Sequence, residues 1–338
     1  MLRHRLSVLM LLVAVMLGSV YSAERPAGPG MGGMFIFGDW VVKTTFGERQ
    51  FESILSFARG ADGTWTGQWI SLWGVSDLND VRFDDGTLTF TQVMAGRDGQ
   101  TMTSRFTGKI EEGKLVGVLK GDRGETPMTG ERRRRAGRAV GDWELKYTIG
   151  DRDVTAGLVI REDEDGELAA QWKSRFGESV ISDLKYERGA LTFKRISKFG
   201  DQEMESTFDG RLGQDGLSGT IKSERGEIAV TGALRGGELV GTWMLDMTSE
   251  QRNYKQRLVV NPDLTGLYGA MPVKEITLQD GTAKFTITTE FGDQRFEMSF
   301  EGKIADGKLT GEMKTSFGAT KVVGTKVVRV FTRPAQRQ

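Results

Sequence analysis

The sequence contains no cysteine and a single histidine, His4. Without cysteine no disulfide can form, so the fold must be stable without one in any compartment. His4 lies in a segment that we expect to be removed, which would leave a mature chain with neither residue type. This composition excludes Ser–His–Asp and Cys–His catalysis and argues against a zinc or other transition-metal site. An enzyme built from this chain would have to use paired carboxylates, a lysine or a tyrosine.

The sequence also lacks a long apolar run outside its first 23 residues. Arg3 and Arg5 precede the apolar stretch from Leu6 to Leu17, and mostly small residues follow it up to Ala23. This order predicts a secretory signal peptide at residues 1–23. The alternative is an uncleaved membrane anchor, but the stretch is shorter than the ~20 residues that span a bilayer. We therefore expect an exported protein, periplasmic or extracellular, with no transmembrane segment after cleavage.

Neither sign of charge is in excess. The chain has 46 Lys and Arg against 46 Asp and Glu, and removal of Arg3 and Arg5 with the signal peptide would leave 44 against 46. A balanced chain has no general attraction for nucleic acid or for anionic lipid. We expect no nucleic-acid partner.

What the sequence does contain is one unit repeated three times. The units open at Gly38-Asp39-Trp40, Gly141-Asp142-Trp143 and Gly241-Thr242-Trp243, and the glycines near their ends keep spacings of 102 and then 92 residues. A repeat of this regularity predicts tandem domains. The third copy is about eight residues shorter, and the loss is placed between Gly269 and Gly281. The chain divides into a signal peptide (1–23), a Gly/Pro-rich linker (24–33), three β repeats (34–135, 136–235 and 236–330) and a tail (331–338).

Within each unit, apolar residues alternate with charged and hydroxyl residues. In the first unit Phe51, Ser53, Leu55 and Phe57 would share one face of a strand. Alternation with period two, interrupted by Asp-Gly pairs, is typical of antiparallel strands joined by hairpins. We predict an all-β fold with about eight strands in each of the first two units, six to eight in the third, and no helix after the signal peptide.

Eight meandering strands with one apolar face can close into a small up-and-down barrel, which removes exposed strand edges. Inward glycines such as Gly67, Gly108 and Gly117 would suit tight bends in such a barrel. The alternatives are a six-bladed propeller and a continuous meander, and the short connection from Leu234 to Leu239 is unfavourable for wholly independent barrels. A single 24-stranded membrane barrel is disfavoured because the outward faces are charged.

The Gly-x-Trp that opens each unit, and an arginine after each final glycine (Arg132, Arg235 and Arg329), resemble the calycin plan of lipocalins and avidins. In that plan the tryptophan packs beneath an arginine from the far end of the barrel. The succession Gly-Asp-Trp, Asp-Gly, Leu-Thr-Phe, Phe-x-Gly and Leu-x-Gly also resembles small lipocalin-like β domains of exported bacterial proteins. The resemblance implies a fold and no ligand, because the biotin residues of avidin and the longer lipocalin signatures are not matched.

Aromatic side chains are the candidate ligand-binding residues. Inward aromatics usually fill a core, but in the first two units they are numerous enough to line a pocket or a sugar-stacking platform. These residues are Trp65, Trp69, Trp73 and Phe83 in the first unit, and Trp172, Phe176 and Tyr186 in the second. No residue is assigned a catalytic or metal-binding role, and no cofactor is expected.

Two charged clusters have simple structural interpretations. Arg132 to Arg135, with Arg138, could contact phosphates, but we favour a solvated linker in which Arg132 packs on its tryptophan. Glu162 to Gly166 could supply oxygen ligands to calcium, but its position is more typical of a hairpin tip.

These features together predict an exported, non-enzymatic binding or scaffolding protein of the cell envelope. Its partner could be a polysaccharide, a small apolar ligand or an envelope protein, and repetition would raise avidity for a repetitive target. One alternative is a carrier of a small apolar ligand in a barrel lumen. Another is a carboxylate-dependent hydrolase, which needs two acids facing each other in one cleft. We expect binding in the first or second unit and a structural role for the third.

Overall fold

The computed structural model describes residues 36–46, 49–60, 62–95, 100–122, 124–199, 202–291 and 294–327. Within these ranges the chain forms only strands and turns, and no helix long and apolar enough to cross a membrane is found there. The proposed signal peptide, linker and tail lie outside the described residues.

The first unit is a closed eight-stranded barrel in which each strand pairs with the next and β8 returns to β1. Its strands are β1 (Gly38–Phe46), β2 (Arg49–Arg59), β3 (Trp65–Ser71), β4 (Gly74–Asp84), β5 (Thr87–Ala95), β6 (Thr101–Glu111), β7 (Lys114–Gly121) and β8 (Gly124–Arg132).

The second unit repeats this topology as a second closed barrel, in which β16 pairs with β9. Its strands are β9 (Gly141–Ile149), β10 (Arg152–Glu162), β11 (Leu168–Ser174), β12 (Gly177–Glu187), β13 (Ala190–Phe199), β14 (Gln202–Leu212), β15 (Leu217–Ser223) and β16 (Gly226–Leu234).

The third unit is a nearly closed sheet of nine strands in the order β20-β19-β18-β17-β25-β24-β23-β22-β21. Its strands are β17 (Gly241–Thr248), β18 (Asn253–Val260), β19 (Gly266–Tyr268), β20 (Met271–Val273), β21 (Ile276–Gln279), β22 (Thr282–Phe291), β23 (Gln294–Ala305), β24 (Lys308–Thr315) and β25 (Gly318–Lys326). The all-β meander prediction is confirmed, and the propeller alternative is wrong. The expected six to eight strands were too few, because the counterpart of β4 is split into β20 and β21.

Only part of the shortening of the third unit lies between Gly269 and Gly281, where the sequence predicts it. Leu158 and Trp172 pair across β10 and β11, 14 residues apart in sequence, whereas their counterparts Leu258 and Tyr268 are 10 apart. Half of the eight-residue loss therefore lies in the β18–β19 hairpin and half beyond Tyr268. The connection from Leu234 to Leu239 joins two separate sheets, so the expectation that it disfavours individual barrels was wrong.

At three of the Asp-Gly pairs that predict hairpin turns, both central residues adopt positive φ. Asp85 and Gly86 have φ of 47° and 75°, and Asp280-Gly281 and Asp306-Gly307 each have φ of 50° and 70°. Positive φ at both positions is the type I′ geometry that Asp-Gly favours. Glu112-Gly113 adopts it without aspartate, at 49° and 78°.

The tryptophans of the Gly-x-Trp motifs close one end of each unit. Each indole N–H donates to the carbonyl oxygen four residues earlier: Trp40 to Ile36 at 2.9 Å, Trp143 to Ala139 at 2.9 Å and Trp243 to Leu239 at 2.7 Å. These three partners are fully buried. Ile36, Ala139 and Leu239 thus fill the end of each unit at which its first strand begins.

A stacked phenylalanine pair fills the middle of each core. The ring centroids of Phe90 and Phe106 are 4.8 Å apart, those of Phe193 and Phe208 4.8 Å, and those of Phe285 and Phe300 4.9 Å. A Cβ atom on Gly108 or Gly117 would collide with the Phe106 ring. These glycines therefore make room for an aromatic ring. The expected role in strand bending is not what requires them.

The tryptophan–arginine contact of the calycin plan is present in the first unit. The Arg132 guanidinium lies 5.1 Å from the Trp40 ring centroid, and its Nη1 donates to the Phe37 carbonyl oxygen at 2.8 Å. In the third unit Lys326 lies over Trp243 at 5.5 Å. Arg329, the expected residue, lies outside the described residues.

In the second unit the expected arginine is displaced by one residue. Leu234 pairs with Trp143, as Arg132 pairs with Trp40. The Arg235 backbone N–H instead donates to the Asp142 carbonyl oxygen, as that of Arg133 does to Asp39. Arg235 is thus the counterpart of Arg133, and its assignment as the tryptophan-covering arginine was wrong.

The arginine cluster between the first two units makes structural contacts. Arg133 lies 3.6 Å from the Asp39 carboxylate, and Arg134 lies 3.6 Å from Glu162 and donates to the Glu164 carbonyl oxygen at 2.7 Å. Asp163 accepts hydrogen bonds from two backbone N–H groups of the same loop, as a hairpin tip requires. The acidic segment thus forms a hairpin tip, whereas the expectation of a solvated arginine linker was wrong for Arg133, whose side chain is only 10% exposed beside Asp39.

The first and third units are packed against each other. Ile54 and Ile70 pair across β2 and β3, point outward from the barrel, and are fully buried. The expectation that every outward face is charged was therefore wrong for this part of the first barrel. Beside them Asp39, 6% exposed, pairs with Arg257 of the third unit, 3% exposed, at 3.1 Å.

The turn between β3 and β4 also contacts the third unit. Gln256 donates from Nε2 to the carbonyl oxygens of Ser71 at 3.0 Å and Leu72 at 3.3 Å. The Leu72 side chain packs against the apolar core of the third unit. The third unit therefore supports the rim of the first barrel.

Candidate functional site

The first barrel has an open cavity of about 1000 Å³ at the end opposite Trp40. The turns β3–β4 and β7–β8 form part of its rim, and Met271 and neighbouring residues of the third unit complete one side. We call this space the first cavity. It lies in the half of the lumen beyond the stacked Phe90 and Phe106.

The inner wall of the first cavity carries uncharged polar groups. Thr44, Ser53 and Gln92 line it and are all buried, Gln92 to 1% exposure. The Gln92 Oε1 atom has no hydrogen-bond partner among the described residues. Leaving a buried carbonyl oxygen without a hydrogen-bond donor costs about 1–3 kcal/mol in stability. A ligand that donates a hydrogen bond to this oxygen would offset that cost.

Apolar side chains form most of the remaining wall. Trp69, Leu119 and Met94 lie along the strands, and Leu72 and Met271 lie on the side of the third unit. Trp73 stands at the rim and is 61% exposed. The described lining contains no lysine, arginine or histidine. The described lining of this cavity is therefore apolar with hydrogen-bonding groups.

The described lining contains two carboxylates, Glu52 and Asp122, and neither is buried. Glu52 lies 3.4 Å from the Lys43 ammonium group, and both side chains are about half exposed. The only buried carboxylate among the described residues is Asp39, which lies outside the lumen between Arg257 and Arg133. A carboxylate-dependent hydrolase needs two acids facing each other in one cleft, and both acids of this lining are exposed.

Strand pairing shows how the three lumens differ at one position. Gln92 lies opposite Ser104, Arg195 opposite Ser206, and Ile287 opposite Met298. The same place in the repeat is thus a neutral amide, a cation and an aliphatic group in turn.

A second position explains the difference in cavity size. Thr44 follows Trp40 by four residues, and at that spacing Tyr147 follows Trp143 and Met247 follows Trp243. Tyr147 and Arg195 occupy the space that Thr44 and Gln92 leave open, so the second barrel retains a cavity of only about 60 Å³. We call this space the second cavity.

The structure separates the seven candidate aromatic residues into two groups. Trp69 and Trp73 line the first cavity, and Trp172 and Phe176 line the second. Trp65, Phe83 and Tyr186 line neither and pack, partly buried, against the cores of their barrels.

The polar residues of the first cavity were missed as site residues. Ser53 was placed on the inward face, but Thr44 and Gln92 were not considered. Comparison of the aligned positions 92, 195 and 287 would have revealed a buried amide in one copy only. The signal is weak in sequence, because a single inward glutamine has meaning only once the surrounding cavity is known.

Comparison with known proteins identifies no family for this chain. No known protein-family model matches the chain, and no curated protein matches it. Among solved structures it is similar to a candidate outer membrane protein of Bacteroides fragilis, at 12% identity over 88% of this chain and 99% of that one, with a TM-score of 0.24.

It is also similar to a protein of unknown function from the DUF3598 family of Nostoc punctiforme, at 11% identity over 87% of this chain and 97% of that one, with a TM-score of 0.20. A third similarity is to transferrin binding protein B of Neisseria meningitidis, at 10% identity over 85% of this chain and 75% of that one, with a TM-score of 0.17. At these values the similarities support no inference about function.

Proposed function

We propose that this chain is an exported, non-enzymatic binding protein of the cell envelope whose first barrel holds one small, uncharged, amphipathic molecule. The observation that carries the proposal is the buried, unpartnered Gln92 Oε1 on the wall of the first cavity. A ligand hydroxyl or N–H group would donate to this oxygen once the amide turns toward the cavity. Its apolar part would lie along Trp69 and the neighbouring aliphatic side chains.

The size and lining of the first cavity support a ligand rather than a solvent channel. A volume of about 1000 Å³ lies at the upper end of the range for small-molecule sites, ~300–1,000 Å³. Such sites are mostly apolar with a few polar groups that fix orientation. The lack of a cation in the described lining favours a neutral molecule over an acid.

The unequal lumens favour a single binding barrel over a threefold repetitive one. Avidity for a repetitive target such as a polysaccharide needs equivalent sites, and positions 92, 195 and 287 differ in charge and polarity. The third unit buries Leu72 of the first barrel and holds its rim. A supporting role for the third unit follows from this contact.

The test uses the uncharged fluorescent probe N-phenyl-1-naphthylamine, titrated into the purified protein. The proposal predicts saturable binding of one probe per chain. Thr44→Tyr introduces the residue of the second barrel and should reduce affinity at least tenfold by filling the first cavity. Thr45→Tyr, an exposed neighbour on the outer face, is the matched control and should bind as the wild type does. Absence of saturable binding, or equal binding by Thr44→Tyr, would refute the proposal.

Export is tested separately by expressing the full chain in a Gram-negative bacterium. The proposal predicts that the protein is released with the periplasmic fraction and that its intact mass corresponds to cleavage after Ser22 or Ala23. Retention of residues 1–23 in a cytoplasmic protein would contradict the export part alone and leave the binding result unaffected.

A further inference from the structure

Arg195 is a buried cation inside the second barrel. It is 8% exposed, its Nε donates to the Ser206 hydroxyl at 3.2 Å, and its guanidinium lies 4.6 Å from the Trp172 ring centroid. No carboxylate among the described residues lies within ion-pair distance of it. The other buried arginine of the described chain, Arg257, is paired with Asp39.

A buried charge without a counter-charge is unfavourable. Removal from water costs several kcal/mol for an ion, and a hydroxyl and an aromatic ring replace only part of its hydration. The Tyr147 hydroxyl lies beside the guanidinium, but burial raises the pKa of Tyr147, so it is neutral at physiological pH. Within the described ranges, the protein therefore supplies no anion to Arg195.

The second cavity provides the space for one. It measures about 60 Å³, and Arg195 lines it together with the hydroxyl groups of Ser174, Ser179, Ser197 and Ser223. One water-sized group needs roughly 10–15 Å³ by this measure, so about four to six such groups fit. That is the size of a carboxylate group with a short substituent or of a phosphate ion.

The charged residues at the mouth of the second cavity are already paired. Glu178 lies 3.1 Å from Lys173, and Lys198 lies 3.1 Å from Glu203. All four side chains are largely exposed, so their ion pairs are weak and well solvated. Neither pair neutralises Arg195.

We propose that the second barrel binds a small oxyanion, a carboxylate or phosphate group, in the second cavity. Arg195 would be its counter-ion, and the Ser174 hydroxyl and one hydroxyl of the Ser179–Ser197 pair would donate hydrogen bonds to it. This site is independent of the neutral ligand proposed for the first barrel. It assigns different ligand chemistry to two copies of one repeat.

The test is calorimetric titration of the full chain with sodium acetate and with sodium phosphate, at constant ionic strength maintained with chloride. We expect one saturable site per chain and a melting temperature that rises with the concentration of the bound anion. Acetate binding alone identifies a carboxylate site, phosphate binding alone a phosphate site, and binding of both a general oxyanion site. Failure of both anions to bind overturns the proposal.

Two variants locate the site. Arg195→Gln introduces the residue of the first barrel and should weaken anion binding at least tenfold, whereas Arg161→Gln removes an exposed arginine outside the lumen and should not. Ser197→Val keeps the cation and replaces a buried hydroxyl of the second cavity. This variant should weaken anion binding severalfold. It tests the site independently if Arg195→Gln does not fold. Undiminished anion binding by folded Arg195→Gln and Ser197→Val overturns the assignment. Binding of the neutral probe to the first barrel should be unchanged in every variant.

Discussion

Gln92 in the first barrel and Arg195 in the second occupy the same position of the repeat, each facing a serine of the next strand, Ser104 and Ser206. Both side chains are buried inside a lumen, yet one is neutral and the other is a cation. The first two barrels thus share one strand framework, while the side chain at this lumen position differs in charge between them. The predictions below test the contacts that create this difference and those that hold the barrels together.

Gln92→Leu should stabilise the unliganded protein. It removes the buried Oε1 that has no described partner, and the gain should be about 1 kcal/mol. Urea unfolding followed by tryptophan fluorescence measures the change. Gln171→Leu, at an exposed position of β11, is the control and should alter stability by no more than ~0.5 kcal/mol. A clear loss of stability in Gln92→Leu would mean that the amide is satisfied in solution.

Asp39→Asn should strongly destabilise the packing of the first unit on the third. The change leaves Arg257 and Arg133 without their carboxylate, and loss of one partner of a buried pair costs about 3–5 kcal/mol. The equivalent change in the second unit, Asp142→Asn, affects an ion pair with Arg161 at 2.7 Å that is nearly half exposed. That control should cost less than ~1 kcal/mol. Equal effects of the two changes on the melting temperature would contradict the prediction.

Acid should weaken the same contact. Burial by itself raises the pKa of Asp39, but Arg257, the Ser56 hydroxyl and Arg135 together hold it below its usual value. Because the folded pKa is below that of the unfolded chain, the stabilisation is complete above about pH 4 and is lost as the pH falls through the lower folded value. Melting temperatures from pH 7 to pH 2.5 should therefore fall more steeply for the wild type than for Asp39→Asn. Parallel curves would show that Asp39 does not titrate in this way.

Leu72→Ala should loosen the rim of the first cavity. Its side chain packs into the core of the third unit, and truncation should cost about 2 kcal/mol. Arg175 holds the corresponding place in the β11–β12 turn, where it is exposed, so Arg175→Ala should be nearly neutral. Limited proteolysis should cut the first variant faster in the β3–β4 turn. Unchanged cleavage rates in both variants would argue against docking of this turn in solution.

Gly117→Ala should disrupt the core of the first barrel. A Cβ atom there would collide with the Phe106 ring and with the Gly108 backbone, and overpacking of this kind costs about 1–3 kcal/mol. Gly157→Ala is the control, because the nearest atom to its Cβ would be 3.9 Å away and its φ is not in the left-handed region. Thermal unfolding should separate the two. A stable Gly117→Ala protein would show that the stacked phenylalanines can move aside.

The sequence by itself determined the threefold repeat and the antiparallel strands, and it favoured small barrels over a propeller or a continuous meander. Alternation with period two places Leu55 and Phe57 on one face of β2, and Asp85-Gly86 specifies a tight hairpin, because both are local properties of the backbone. The contact between Trp40 and Arg132 in the first barrel was implied by the resemblance to the calycin plan. Two of the seven candidate aromatic residues, Trp69 and Trp73, line the first cavity, and their role in binding stays a prediction.

Tertiary structure alone decided which lumen is open and what covers the outward residues. The alternation places Ile54 on the outward face, yet it is buried beside the Asp39–Arg257 contact with the third unit. Gln92 becomes significant because Thr44 leaves space where Tyr147 fills it in the second barrel, a difference of volume between residues distant in sequence. The pairing of Asp39 with Arg257 joins positions 218 residues apart. Local patterns set strands and turns, whereas cavity volume and burial of charge depend on how whole barrels pack.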